Sequence, residues 1–93
     1  MTIAVDYDGT LKNGEQMNLG LIGNLKARQR NGDIVILWTC RAGTRLNEAI
    51  NELARVGFKP NLVNQNTPQT IMKLGYDPRK VLADIYIDDK NAM

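Results

Sequence analysis

Ninety-three residues leave room for one domain, at the small end of what buries its own core. A content of 43% hydrophobic and 24% charged residues excludes a disordered chain, and no apolar run approaches the roughly 20 residues of a membrane span. A net charge of +2 gives no reason to expect nucleic acid as a partner, the absence of histidine excludes imidazole bases and ligands, and a single cysteine excludes an internal disulfide.

Taken in chain order, Thr2–Val5 is a short apolar run ending in a carboxylate and reads as strand one. Met1–Asp6 has no basic start and does not read as a signal peptide, and the single cysteine, Cys40, fits an expected cytoplasmic location. Lys12-Asn13-Gly14-Glu15 carries an Asn-Gly turn and predicts a small hairpin or flap. Met17, Leu21, Ile22 and Leu25 recur at near-helical spacing and predict a helix over about Leu21–Arg30, closed by Asn31-Gly32. Ile34 to Trp38 is a continuous, largely β-branched run, as in a strand buried on both faces, which makes Trp38 a core residue. Leu46, Ala49, Ile50, Leu53 and Ala54 predict the clearest helix, over Leu46–Val56, with Thr44 as N-cap and Gly57 beyond its end. Leu62-Val63 is a short third strand, Pro68–Leu74 a short helix capped by Thr67 and ended by Gly75, and Val81–Ile87 a fourth strand.

Strands alternating with helices imply an α/β fold, a parallel sheet with right-handed crossovers. Ligands in such sheets sit beyond the carboxyl ends of the strands. Three features land there: Asp6 and Asp8 after strand one, Thr39 to Arg41 after strand two, and Asp88 and Asp89 after strand four. Asp6 and Asp8 share a face in extended geometry, and Gly9 lets the chain turn away. Crowded carboxylates call for a cation, and an all-oxygen site suits Mg²⁺, which leaves coordination positions for phosphate oxygens. One aspartate is then positioned to attack phosphorus.

Asp6-Tyr7-Asp8-Gly9-Thr10-Leu11 resembles the first motif of the haloacid dehalogenase superfamily. Leu37-Trp38-Thr39-Cys40-Arg41 resembles the second, and Ala83-Asp84-Ile-Tyr-Ile-Asp88-Asp89-Lys90 the fourth. The resemblance covers the whole chain and is nearest to a small, capless branch common in bacteria and phages, which shares Asn64-x-Asn66 and Asp77-Pro78-Arg79-Lys80-Val81. It implies a three-layer Rossmann-like fold with about four parallel strands in the order 3-2-1-4 and no cap domain. It further implies that Asp6 is nucleophile and metal ligand, and that Asp8 ligates Mg²⁺ through its backbone carbonyl while its carboxylate serves as general acid–base. Thr39 would bind the phosphoryl group beside the Cys40 N–H, Asp88 would ligate Mg²⁺, and Asp89 would buttress the site. The charge-balancing lysine would be Lys80 or Lys73. Arg41 is placed to bind phosphate or to bond a carboxylate, and Asn64 and Asn66 to contact substrate or to form turns. The Cys40 side chain reads as a small buried filler.

The expected function is that of a Mg²⁺-dependent phosphohydrolase, acting on a small phosphorylated molecule through an aspartyl-phosphate. The alternative is a binder that sequesters a nucleotide or phosphorylated metabolite, such as a phage protein holding a host defence signal. Only Leu11–Gln16 separate the first motif from the first helix, so the site is open. The crossover to strand four covers one sheet face with Pro68–Leu74 alone, and the residues from Asp88 to Met93 are expected to add no helix. A homo-oligomer is therefore expected, formed through that face or the strand-four edge.

Overall fold

Strand β1 (Thr2–Val5) runs through the middle of a computed structural model that describes residues 1–78 and 80–89. Its Ile3, Ala4 and Val5 have no exposed surface, as a strand covered on both faces requires. A hairpin follows, β2 (Lys12–Asn13) antiparallel to β3 (Gln16–Met17), its turn made by Gly14 at φ +63°. Helix α1 (Leu19–Arg30) begins where the Asn18 side chain accepts from Leu21 N at 3.2 Å, and Asn31 caps its other end. Strand β4 (Ile34–Leu37), helix α2 (Gly43–Arg55), strand β5 (Leu62–Val63), helix α3 (Pro68–Leu74) and strand β6 (Ile85–Ile87) follow.

The four longer-range strands form one parallel sheet in the order β5-β4-β1-β6, with Ile3 opposite both Val35 and Ile85. This small α/β architecture, four parallel strands and three helices among the described residues, is consistent with a Rossmann-like fold. The order is the expected 3-2-1-4. Right-handed crossovers should place the first two helices on one face, and they do. Ile22 and Leu25 of α1 and Ala49 and Leu53 of α2 pack with Ile3, Val5, Val35, Leu37 and Ile87.

The opposite face is thinner. Its buried residues are Ala4, Ile36 and Val81, flanked by Ile34, Leu62, Ala83 and Tyr86. Helix α3 has the expected bounds, with Thr67 accepting from Thr70 N and Gly75 at φ +81°, yet buries none of its residues. The chain segment at Val81–Ala83, and not a helix, closes this face.

Three local expectations are corrected. Strand β6 starts at Ile85, not Val81, because side chains occupy the preceding N–H groups: Leu82 N donates to Asn66 Oδ1 and Ala83 N to Tyr86 Oη. Helix α2 starts at Gly43, with Ala42 at the cap and no side-chain cap bond, so Thr44 lies inside the first turn. Trp38 is 38% exposed, because β4 ends at Leu37 and the indole lies beyond the packed part of the sheet. Residues 90–93, expected to add no helix, lie outside the described residues. Among those described, no helix is long and apolar enough to cross a membrane.

Candidate functional site

The central strands carry their carboxyl ends to one edge, where Asp6, Trp38, Thr39, Cys40, Asp88 and Asp89 line a cleft of about 250 Å³. Backbone bonds extend the sheet just far enough to hold these residues: Asp6 N donates to Ile87 O at 2.9 Å and Trp38 N to Val5 O at 2.8 Å. The chain then breaks away through Tyr7 and Asp8 to Gly9, whose φ of +79° favours glycine, and Gly9 N bonds Lys12 O at 2.8 Å. The hairpin is thereby tied to the site loop.

Asp6 is half-buried, and its Oδ1 accepts from Tyr7 N at 2.8 Å. Burial pushes its carboxyl above the ordinary carboxylate range; the Tyr7 N–H pulls it back, and the charges of Asp8, Asp89 and Asp88 raise it further. Each of these causes but one disfavours a second negative charge in the cleft. Asp8 differs. Arg41 donates to both its oxygens, Nε to Oδ2 at 2.9 Å and Nη2 to Oδ1 at 2.8 Å, and this pair holds the Asp8 carboxyl below the usual range. Arg41 also lies over the Tyr7 ring at 4.7 Å. Of the two roles open to Arg41, bonding a carboxylate is the one seen in this structure.

Thr39 Oγ1 accepts from Arg41 N at 3.1 Å, and Thr39 N donates to Asn64 Oδ1 at 2.9 Å. Asn64, at φ +51°, thus holds the turn in which Thr39 presents its hydroxyl. Among the described residues no acceptor takes the Cys40 N–H, and the Cys40 side chain is exposed, not the buried filler expected. Of the two roles open to Asn66, holding the local chain is the one seen in this structure. It is 5% exposed, and its amide donates to Asp77 Oδ1, Pro78 O and Lys80 O while its oxygen accepts from Leu82 N. Both ends of the amide are thereby engaged in clamping the approach to β6.

Neither lysine lies against Asp6. The Lys80 side chain is exposed, and its backbone carbonyl is held by Asn66. Lys73 lines a separate cleft with Thr2, Thr70, Leu82 and Asp84, beside the amino ends of β1 and β6. The donors within the Asp6 cleft are hard oxygens suited to Mg²⁺, and the carboxylates that raise Asp6 have a physical reason to take up a cation. Among the described residues no three acidic or thiol side chains form a metal-holding group. The implied ligand set asks for two carboxylates, Asp6 and Asp88, and the Asp8 carbonyl.

Sequence reasoning missed the polar support beneath Asp8. Tyr7 is fully buried; its hydroxyl donates to Glu52 Oε1 at 2.7 Å, and Lys12 Nζ donates to Glu52 Oε2 at 2.6 Å. The available signal was a polar stripe on α2, with Arg45, Glu48 and Glu52 at i, i+3 and i+7.

No protein-family model matches the chain, and no curated protein matches it. Among solved structures it is similar to a conserved protein from Bacteroides thetaiotaomicron, at 36% identity and a TM-score of 0.80, over 98% of this chain and 77% of that one.

Proposed function

The chain belongs to the same family as this conserved Bacteroides protein, and we propose that it is a haloacid dehalogenase-like, Mg²⁺-dependent phosphohydrolase whose nucleophile is Asp6. The observation that carries this reading is the half-buried Asp6 in one cleft with Thr39, Cys40, Asp88 and Asp89, with the charge of Asp8 acting on it from beside the cleft. Mg²⁺, held by Asp6, Asp88 and the Asp8 carbonyl, would neutralise the carboxylates and the phosphate together. Asp6 attacks phosphorus, the ester P–O bond breaks, and Asp8 hands its proton to the leaving oxygen. Asp8 then takes a proton from the water that cleaves the aspartyl-phosphate, returning Asp6 and releasing phosphate. The Thr39 hydroxyl and Cys40 N–H bind the phosphoryl oxygens, and Asn64 keeps their turn in place. The balancing positive charge is assigned to Lys80, whose exposed side chain has to turn toward the cleft to supply it.

Arg41 has to leave Asp8 for this cycle to run. The Asp8 side chain is 54% exposed, so the pair is worth on the order of 1 kcal/mol, and a phosphate dianion can compete for the guanidinium. In the wild type, phosphate-ester turnover is expected to require Mg²⁺ and to stop with EDTA. Asp6→Asn abolishes it, and equal activity of Asp6→Asn and wild type overturns the nucleophile assignment.

The same Arg41–Asp8 pair favours a second reading, a site that sequesters a nucleotide or phosphorylated metabolite without turnover. An Asp8 held ionised carries no proton to give. Recovery of unhydrolysed ligand after incubation with Mg²⁺ selects this reading. The chain also self-associates through the apolar surface of the α3 region, where Met72 is 82% and Tyr76 63% exposed.

A further inference from the structure

The chain's one tryptophan, Trp38, is 38% exposed and forms a wall of the cleft that holds Asp6, Thr39 and the acidic pair. An indole offers one of the largest apolar surfaces a small core can bury, yet this one stays open to the site. Its orientation is fixed from behind. Trp38 and Tyr86 meet edge-on, centroids 5.7 Å apart at 64°, and Tyr86 is itself held, donating to Val81 O at 2.8 Å and accepting from Ala83 N at 3.1 Å. Among the described residues no other ring packs against the indole. A rigid aromatic plane one residue before the Thr39 hydroxyl suits a ligand that joins a phosphate to a flat, stackable group.

We propose that the ligand of this cleft is a nucleoside phosphate, its base stacked on Trp38 and its phosphate at Thr39 and Cys40. The inference rests on the phosphate-handling reading of the site and adds the substrate class to it. Stacking on an aromatic side chain is tolerant of base identity, so Trp38 selects for the presence of a base more than for its kind.

The test compares adenosine 5′-monophosphate with ribose 5-phosphate, which keeps the phosphate and sugar and lacks the base. Calorimetric affinities are measured with Mg²⁺ for wild type, Trp38→Phe and Trp38→Leu, and indole emission is followed in the wild type. Adenosine monophosphate is expected to bind about tenfold tighter than ribose 5-phosphate and to quench the single indole. Trp38→Phe keeps most of that preference. Trp38→Leu brings the two ligands to within about twofold, chiefly by weakening adenosine monophosphate. If the leucine variant does not fold, quenching by the nucleotide but not by ribose 5-phosphate carries the result. Equal Mg²⁺-dependent binding of both ligands by the wild type overturns the base platform and leaves the phosphate reading standing. A preference that survives in Trp38→Leu also overturns it, since the base is then held elsewhere. Failure of both ligands to bind, with or without Mg²⁺, overturns both readings.

Discussion

Between Asp6 and Asp8 the chain turns Tyr7 inward, and its hydroxyl meets Glu52 while Arg41 covers its ring. Burial and the Glu52 hydrogen bond push the phenol above its ordinary value of 10.0, whereas Lys12 and Tyr7 together hold Glu52 below its own range. The signs follow. Above about pH 10 the unfolded chain loses the Tyr7 proton and the folded one keeps it, so this contribution to stability is present below pH 10 and falls as pH rises further. Glu52 contributes above about pH 4.5 and the gain is lost on acidification. Tyr7→Phe should cost about 1–2 kcal/mol at pH 8 and flatten the alkaline decline, measured by urea unfolding at pH 8 and pH 11. At the same scale, Lys80→Ala should weaken phosphate binding while Lys73→Ala leaves it unchanged, because Lys73 stands in the cleft by Thr2 and Asp84. A larger loss in Lys73→Ala, in side-by-side calorimetry with inorganic phosphate and Mg²⁺, shows that the wrong lysine was chosen.

Strand β6 owes its position to side chains as much as to its pairing with β1. Asn66 gathers Asp77, Pro78, Lys80 and Leu82, and Tyr86 gathers Val81 and Ala83, so the approach to the strand is held without a ladder. Asp88 and Asp89 follow directly, which makes this clamp part of the site's support. Asn66→Ala should leave the Leu82 N–H unpaired and cost about 2–3 kcal/mol in chemical denaturation, with weaker Mg²⁺-dependent phosphate binding in the folded fraction. A loss under about 0.5 kcal/mol, the usual scatter of surface substitutions, would contradict the clamp.

Across the whole molecule the two faces of the sheet are unequal. One buries a cluster from α1, α2 and the strands; the other buries Ala4, Ile36 and Val81 beneath a chain segment and leaves Met72, Leu74 and Tyr76 of the α3 region exposed. Covering that apolar surface with a second copy is favourable at about 25 cal/mol per Å². Sedimentation at micromolar concentration should report a dimer or higher species, and Met72→Lys should shift it toward monomer. A clean 10.4 kDa wild-type monomer removes the proposal.

Thr2–Val5, Leu62–Val63 and Pro68–Leu74 were legible to the residue, because short apolar runs and a Thr-Pro start with a Gly end are local signals. The strand order was implied by the family resemblance, right-handed connections then put α1 and α2 on one face, and the parallel sheet brought Asp6, Thr39 and Asp88 to one edge. Pairings between distant residues were not legible. Arg41 could meet a phosphate or a carboxylate until the fold set it against Asp8, and Asn66 looked the same as Asn64 until Asp77, Pro78, Lys80 and Leu82 were brought to it. Trp38 read as core from its place in an apolar run. Whether a strand's last residue is covered depends on how far its neighbours extend, and β4 stops one residue short. Local propensity and connection length act along the chain, so sequence determines them; the side-chain partners and the cover over each face are set by tertiary packing alone.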